Sequence, residues 1–174
     1  MFTIMPEKDL NPSPGNFQLE KKVWTEADFD IMGWHDSPIY GISVGGGDFM
    51  DKELLLDIDY IFKWIDPIPP QKYFSFWIAP STLIFKNIFN TVIDVDTRSD
   101  NTFKLEIADV HRLEELPPID NRRNWKWHIE LQNGGIFLES TGYEQIIKGE
   151  PIFTSEQWVP QTVRGEANFK RIPF

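Results

Sequence analysis

The sequence has 174 residues, 41% of them hydrophobic and 14% aromatic, and a formal net charge of −10. A chain of this length and composition buries a sizeable core as one domain, which argues against disorder. It contains no cysteine, which excludes a disulfide scaffold, a thiolate metal site and a cysteine nucleophile.

The acidic charge narrows the choice of partners. Nucleic-acid binding requires a cationic surface, and the dense basic spots, Lys21-Lys22 and Arg122-Arg123, are too small to offset the acidic field. We therefore expect no nucleic-acid partner and favour a basic protein, a metal ion or a neutral ligand. The alternative is that the acidity only aids solubility.

The amino-terminal residues and the hydropathy predict the compartment. The first residues, MFTIMPEK, lack the basic start and the apolar run of a signal peptide. No stretch approaches the ~18 consecutive apolar residues of a membrane span. We therefore expect a cytoplasmic protein without a membrane partner.

The composition divides the chain into a leader and a domain. Three prolines and a glycine in the segment MPEKDLNPSPGN predict an irregular leader over residues 1–16. One β-rich domain is predicted over residues 17–174, because no repeat or composition shift marks a further boundary.

A short helical turn and a hairpin are predicted at the start of this domain. The segment Thr25–Asp28 fits the cap of a single helical turn, with the Asp28 carboxylate near the free amides. Phe29–Trp34 and Ile39–Val44 are then predicted as two strands, joined by the turn residues Asp36-Ser37-Pro38.

Glu53–Trp64 has the clearest strand pattern in the chain. Leu54, Leu56, Ile58, Tyr60 and Phe62 alternate with Leu55, Asp57, Asp59 and Ile61. The same kind of pattern predicts shorter strands over Tyr73–Ala79, Thr82–Asn87, Thr91–Asp96 and Phe103–Leu113.

The last part of the domain predicts a loop, a hairpin and one helix. Leu116–Asn124 contains prolines and is predicted as a loop. Trp125–Leu131 is predicted to pair with Gly135–Thr141 through Asn133-Gly134, since Asn-Gly is a strong hairpin signal. Thr141–Lys148 begins with a capping box and is followed by Gly149, which predicts a short helix.

These elements together predict the fold class. About nine short strands and one helix indicate a mainly β, single-domain antiparallel fold. A barrel-like sheet and a sandwich both fit, because the alternation of polar and apolar residues does not specify which strands pair.

Two pairs of aspartates are candidate functional residues. Asp57 and Asp59 share one face of a strand, and Asp94 and Asp96 share a face of another. If the strands were neighbours, the four carboxylates would cluster, which a hard cation such as Mg²⁺ or Ca²⁺ would relieve. The alternative is that both pairs lie on solvated faces.

The segment Trp34-His35-Asp36 is the other candidate site. A histidine next to a carboxylate suits a general base or a metal ligand, but adjacent strand residues point to opposite faces. The alternative is that His35 and Asp36 close the predicted hairpin turn. No metal-ligand spacing, serine-nucleophile motif or phosphate-binding loop accompanies them, so we predict no catalytic residue, metal site or cofactor.

Three segments carry a resemblance to known proteins. The strings FDIMGWHD (29–36), LDIDYI (56–61) and FWIAPSTL (76–83) resemble a group of small uncharacterised bacterial proteins. They are also loosely similar to the all-β immunity proteins that neutralise bacterial toxins, some of which carry a His-Asp pair at an early turn. The resemblance covers roughly residues 28–96 and implies a bacterial cytosolic protein; it transfers no catalytic residue.

Two main hypotheses for the function follow. The first is a non-enzymatic binding protein, of the immunity type, that neutralises a cationic toxin through a surface containing the four aspartates. The second is a metal-assisted hydrolase that uses His35, Asp36, Asp57 and Asp59 around one cation. A third, based on the aromatic content alone, is a barrel that holds a small apolar ligand.

Overall fold

The fold is built mainly of strands, as alternation of apolar side chains predicts. The computed structural model describes residues 15, 17–46, 51–98 and 104–174, so the predicted leader lies outside the described residues except for residue 15. In these ranges there is one 3-10 helix, Glu26–Ile31, and one α-helix, α1 (Gln161–Arg164). The strands are β1 (Val23–Thr25), β2 (Ser37–Gly45), β3 (Glu53–Ile65), β4 (Ser75–Lys86), β5 (Phe89–Val95), β6 (Glu106–Ile119), β7 (Arg122–Leu131), β8 (Gly134–Ser140), β9 (Gly142–Ile147) and β10 (Ile152–Thr154).

The strands form one antiparallel sheet in the order β1-β9-β4-β3-β2-β6-β7-β8-β5, with β10 beside β4. Over the described residues, the sheet does not close. The pairing of β2 with β6 covers only Ser37 and Pro38, which divides the sheet into two halves. Side chains of both halves share one buried core, in which the rings of Phe85 and Trp127 lie 5.4 Å apart. The predicted mainly β, antiparallel, single-domain class is therefore confirmed.

Strand β3 is buried on both faces. Leu54, Leu56 and Ile58 point into the core between the two halves. Leu55 and Ile61 lie on the opposite face. There Phe169 of the C-terminal segment packs against the cluster that contains Leu55, and Val159 belongs to the cluster that contains Ile61. Alternation in this strand therefore separates two buried environments.

The first predicted hairpin is wrong. Thr25 caps the 3-10 helix, and its backbone amide donates a hydrogen bond of 2.9 Å to the Asp28 carboxylate, which confirms the predicted cap. The helix continues through Ile31, so residues 29–31 are not a strand. Strand β2 is present, but its neighbours are β3 and β6.

Two further local predictions are wrong. The predicted loop 116–124 is a tight hairpin between β6 and β7, because Asp120 and Asn121 adopt the positive φ angles of 48° and 61° that suit a two-residue turn. The predicted helix 141–148 contains strand β9, which fits between β4 and β1. Tertiary pairing therefore overrides the capping-box pattern.

The remaining strand predictions hold with changed boundaries. Tyr73–Ala79 and Thr82–Asn87 belong mostly to one strand, β4, which runs through Pro80. The hairpin between β7 and β8 is confirmed, with Leu131 opposite Gly134. Gly134 has a φ of 140°, a conformation that glycine adopts without a steric penalty.

Candidate functional site

A buried ion network surrounds Asp57. Arg164 of α1 donates to both carboxylate oxygens, with NH1 3.1 Å from Oδ2 and NH2 2.5 Å from Oδ1. Lys148 Nζ lies 2.6 Å from Oδ1, and the Asn168 amide donates to Oδ2 at 2.8 Å. The carboxylate therefore has four donors, and it joins β3 to the C-terminal segment.

Asp59 lies in the same network, two residues further along the strand. It accepts hydrogen bonds from Arg164 Nε at 2.8 Å, from the Val159 amide at 2.8 Å and from the Tyr40 hydroxyl at 2.9 Å. The guanidinium carbon of Arg164 lies 3.7 Å from the centre of the Tyr40 ring. One arginine thus holds both aspartates and stacks on a tyrosine.

Burial and hydrogen bonding act in opposite directions on the two carboxyl groups. Burial raises the pKa of Asp57, but hydrogen bonds from Arg164, Lys148 and the Asn168 amide outweigh it, so this pKa lies below its usual value. Burial dominates at Asp59 and raises its pKa. Burial also lowers the pKa of Lys148, although Asp57 opposes that change.

The charges of this network are paired and shielded from water. Two carboxylates face two cations, and the side chains of Asp57, Asp59, Lys148 and Arg164 are all almost fully buried. Buried charges persist where they are paired and hydrogen-bonded. The prediction that Asp57 and Asp59 lie on a solvated binding surface is wrong, because the C-terminal segment covers that face.

The second aspartate pair lies elsewhere. Asp94 is on the exposed side of β5, at the end of the sheet beyond β8, whereas β3 is in the other half. Asp96 follows β5 and forms an exposed ion pair with Arg98. The Arg98 guanidinium donates two hydrogen bonds to the Asp96 carboxylate, each 3.0 Å long. The four carboxylates therefore do not cluster.

The segment Trp34-His35-Asp36 forms a turn with three different environments. The Ser37 amide donates to the Trp34 carbonyl at 3.0 Å, which confirms the turn though not the hairpin. Trp34 is buried and donates to Gln145 Oε1 at 2.7 Å. His35 is exposed and stacks on Trp64 at 6.0 Å, while Asp36 accepts a hydrogen bond from Gln157 at 2.8 Å.

These positions give the hydrolase hypothesis no support. His35 and Asp36 lie at the surface, and the oxygens of Asp57 and Asp59 are engaged by Arg164 and its neighbours. Within the described ranges, no group of three or more histidine, aspartate or glutamate side chains is placed to hold a metal ion. Some of the aromatic rings that suggested a ligand-binding barrel, such as those of Phe85 and Trp127, pack against one another in the core.

Sequence reasoning missed a groove on the outer face of the β3–β4 part of the sheet. It has a volume of about 470 Å³, and we call it the aromatic groove. Its lining consists of five aromatic residues followed by three polar ones: Trp64, Tyr73, Phe74, Phe76, Trp158, Ser155, Glu156 and Gln157.

The aromatic groove is ordered by ring contacts, yet its rim is exposed. Trp64 packs edge-on against Phe74 at 5.6 Å and against Phe76 at 4.9 Å. Phe76 is buried, whereas Tyr73 is 82% exposed and Trp158 is 42% exposed. Exposed aromatic residues clustered in one concave place are typical of interaction sites.

A smaller depression of about 220 Å³ adjoins the groove at Gln157 and Trp158. Glu106 lines it, and burial together with the nearby Asp36 carboxylate raises the pKa of Glu106. Lys104 Nζ lies 5.7 Å from the centre of the Trp158 ring. Carboxylates therefore outnumber ammonium groups around Trp158.

The sequence held only weak signals for these two features. Lys148 and Arg164 lie more than 90 positions from Asp57. Lys148 ends the segment that the sequence predicts as a helix, and Arg164 lies in a segment without a regular period. Trp64, Tyr73 and Trp158 come from the end of β3, the segment before β4 and the C-terminal segment. The high aromatic content is the one available signal, and it does not show which rings are exposed or which of them meet.

Comparison with known proteins adds no family to this description. No protein-family profile, curated protein or solved structure matches the chain. None of the helices in the described ranges has the length and apolar character needed to cross a membrane.

Proposed function

We propose that this protein is a non-enzymatic binding protein that holds a basic segment of another protein in the aromatic groove. The observation that supports this proposal most directly is that the exposed aromatic rings of Trp64, Tyr73 and Trp158 lie together in one depression. Tryptophan and tyrosine provide large contact areas at a low entropic cost, and they dominate the energetics of many interfaces.

The charge supports a basic partner. The chain carries a net charge of −10, and Glu156 lines the groove while Asp36 and Glu106 lie beside it. A lysine or arginine from a partner would contact both the rings and these carboxylates. Neutralisation of a cationic bacterial toxin, as the resemblance to immunity proteins implies, is the specific form of this proposal.

The test begins with capture of the partner from a lysate of the source organism, at low and at high salt. The recovered protein is then titrated calorimetrically with the wild type and with Tyr73→Ala and Trp158→Ala. We expect each substitution to weaken binding about 30-fold, as expected for interface residues worth about 2 kcal/mol. We also expect binding to weaken as salt rises.

Ile31→Ala is the matched control, because Ile31 is an exposed apolar residue on the 3-10 helix, away from the groove lining. It should bind like the wild type. The proposal is overturned if no protein is recovered at either salt, or if the groove variants bind as tightly as the control. Binding of neutral oligosaccharides to the groove, measured on a glycan array, would also overturn it.

A further inference from the structure

A second cleft lies at the open edge of the main core, beside the 3-10 helix. It has a volume of about 530 Å³. Three of the six arginines in the chain line it, in contrast to the acidic character of the molecule as a whole. Its lining residues are Glu26, Ala27, Asp30, Arg112, Arg122, Arg123, Trp125 and Thr141.

Arg112 is held in place by two aromatic rings. Its guanidinium carbon lies 4.7 Å from the centre of the Phe29 ring and 5.7 Å from that of Trp125. Phe29 is itself fixed by an edge-on contact of 5.5 Å with Trp127 in the core. Cation–π contacts orient a guanidinium without consuming its N–H donors, which lie in the guanidinium plane.

The carboxylate beside Arg112 holds it weakly. Asp30 Oδ1 lies 3.5 Å from Arg112 NH2, and the Asp30 side chain is 88% exposed while that of Arg112 is 27% exposed. Exposed ion pairs contribute little, because water screens both charges. A ligand oxyanion can therefore replace Asp30 at a small cost and gain a charge-assisted, two-hydrogen-bond contact with the guanidinium.

Arg123 supplies a second cation on the same ring. Its guanidinium carbon lies 4.8 Å from the centre of Trp125, and it forms two hydrogen bonds with Glu115, of 2.9 Å and 3.1 Å. Arg122 is hydrogen-bonded to Asn87 at 3.0 Å. Arg122 also has a loosely held carboxylate partner, Asp120, at 3.5 Å, but the Arg122 side chain is 45% exposed, so Arg112 has the most restricted side chain of the three.

We propose that this cleft binds a small molecule through a single oxyanion group, a phosphate or a carboxylate, which Arg112 holds with two hydrogen bonds. Glu26 and Asp30 also line the cleft, and their carboxylates disfavour a ligand with several adjacent negative charges. The site is independent of the aromatic groove, with which it shares no lining residue.

The test is a titration of the ¹⁵N-labelled protein with inorganic phosphate, acetate or pyrophosphate, at an ionic strength fixed with sodium chloride. The readouts are the Nε–H resonance of Arg112 and the indole N–H resonance of Trp125. We expect saturable shifts with phosphate or with acetate, which distinguishes a phosphate from a carboxylate ligand, and weaker binding of pyrophosphate.

Arg112→Gln should weaken the saturable binding at least about tenfold, because it removes a charge-assisted bidentate contact. Arg98→Gln is the control, because Arg98 also pairs with an exposed aspartate but lies outside the cleft. If Arg112→Gln unfolds, Arg123→Gln gives a second measurement, with a loss expected there as well. The proposal is overturned if neither phosphate nor acetate saturates, or if the cleft variants bind like Arg98→Gln.

Discussion

Arg164 and Asp57 lie 107 positions apart in the chain and form a buried ion pair with two hydrogen bonds. The pair connects a four-residue helix to the centre of the sheet. A helix this short has no stability of its own. The position of this helix therefore depends on Arg164, whose Nε also donates a hydrogen bond of 2.8 Å to Asp59.

Replacing Arg164 with methionine should lower the free energy of unfolding by about 3–5 kcal/mol, since it leaves Asp59 buried without a cation in contact and Asp57 with Lys148 alone. Chemical denaturation followed by tryptophan fluorescence measures this change. Arg98→Met is the matched control and should leave the free energy of unfolding nearly unchanged, because its pair with Asp96 is exposed and screened by water. Equal losses in the two variants would show that the buried carboxylates do not depend on Arg164 for their compensation.

The sequence predicted the part of this arrangement that local pattern determines. Alternation placed Asp57 and Asp59 together on one face of a strand, and that is their position in β3. Alternation does not indicate what covers a face. The residues that cover the aspartates, Val159 and Arg164, come from a segment with no regular period. The sequence therefore does not indicate that this face of the strand is covered.

The errors in secondary structure have the same physical origin. The capping-box pattern at residues 141–144 is real as a local preference, yet β9 pairs with β4 along six positions and with β1 along three. Long-range pairing of this kind outweighs a preference of about 1 kcal/mol. The hairpin at Gly134 was predictable because its turn chemistry is local.

Gly134→Ala should destabilise the protein by more than about 1 kcal/mol, as measured by thermal or chemical denaturation. The φ of Gly134 is 140°, and a Cβ atom there would lie 2.0 Å from the Asp94 carbonyl oxygen of β5. Backbone atoms cannot give way as a flexible side chain does. Gly45→Ala is the control, because a Cβ at Gly45 meets nothing within 4 Å and should leave stability nearly unchanged.

Acidification should destabilise the protein through His128. Burial and the nearby His111 lower the pKa of His128 below 6.5, while Glu130 opposes the change. The ring is stacked on Phe137 at 4.2 Å and lies 5.6 Å from His111. The pKa of His128 is lower in the folded protein than in the unfolded chain. At pH values between these two pKa values the unfolded chain binds more protons, so the free energy of unfolding falls as the pH decreases through this range.

The measurement is the pH dependence of urea unfolding, together with an NMR titration of the His128 ring. His128→Gln should reduce the loss of stability between about pH 7 and pH 5. His111→Gln should raise the pKa of His128, because it removes a neighbouring positive charge. A His128 pKa at or above 6.5 in the wild type would contradict this account.

Asp59→Asn should disturb the aromatic groove from a distance. Asp59 accepts three hydrogen bonds, one of them from the amide of Val159, the residue that follows Trp158. An asparagine offers one acceptor oxygen and two donors to these same three donors, so the hydrogen bond that ties the Val159 amide to β3 is weakened, while Val159 keeps its place in the cluster with Ile61. We expect a shift of the Trp158 indole N–H resonance and weaker partner binding, although no groove side chain is changed. Asp94→Asn, at an exposed site on β5, should alter neither; an unshifted Trp158 resonance in Asp59→Asn would show that the groove does not depend on the buried network.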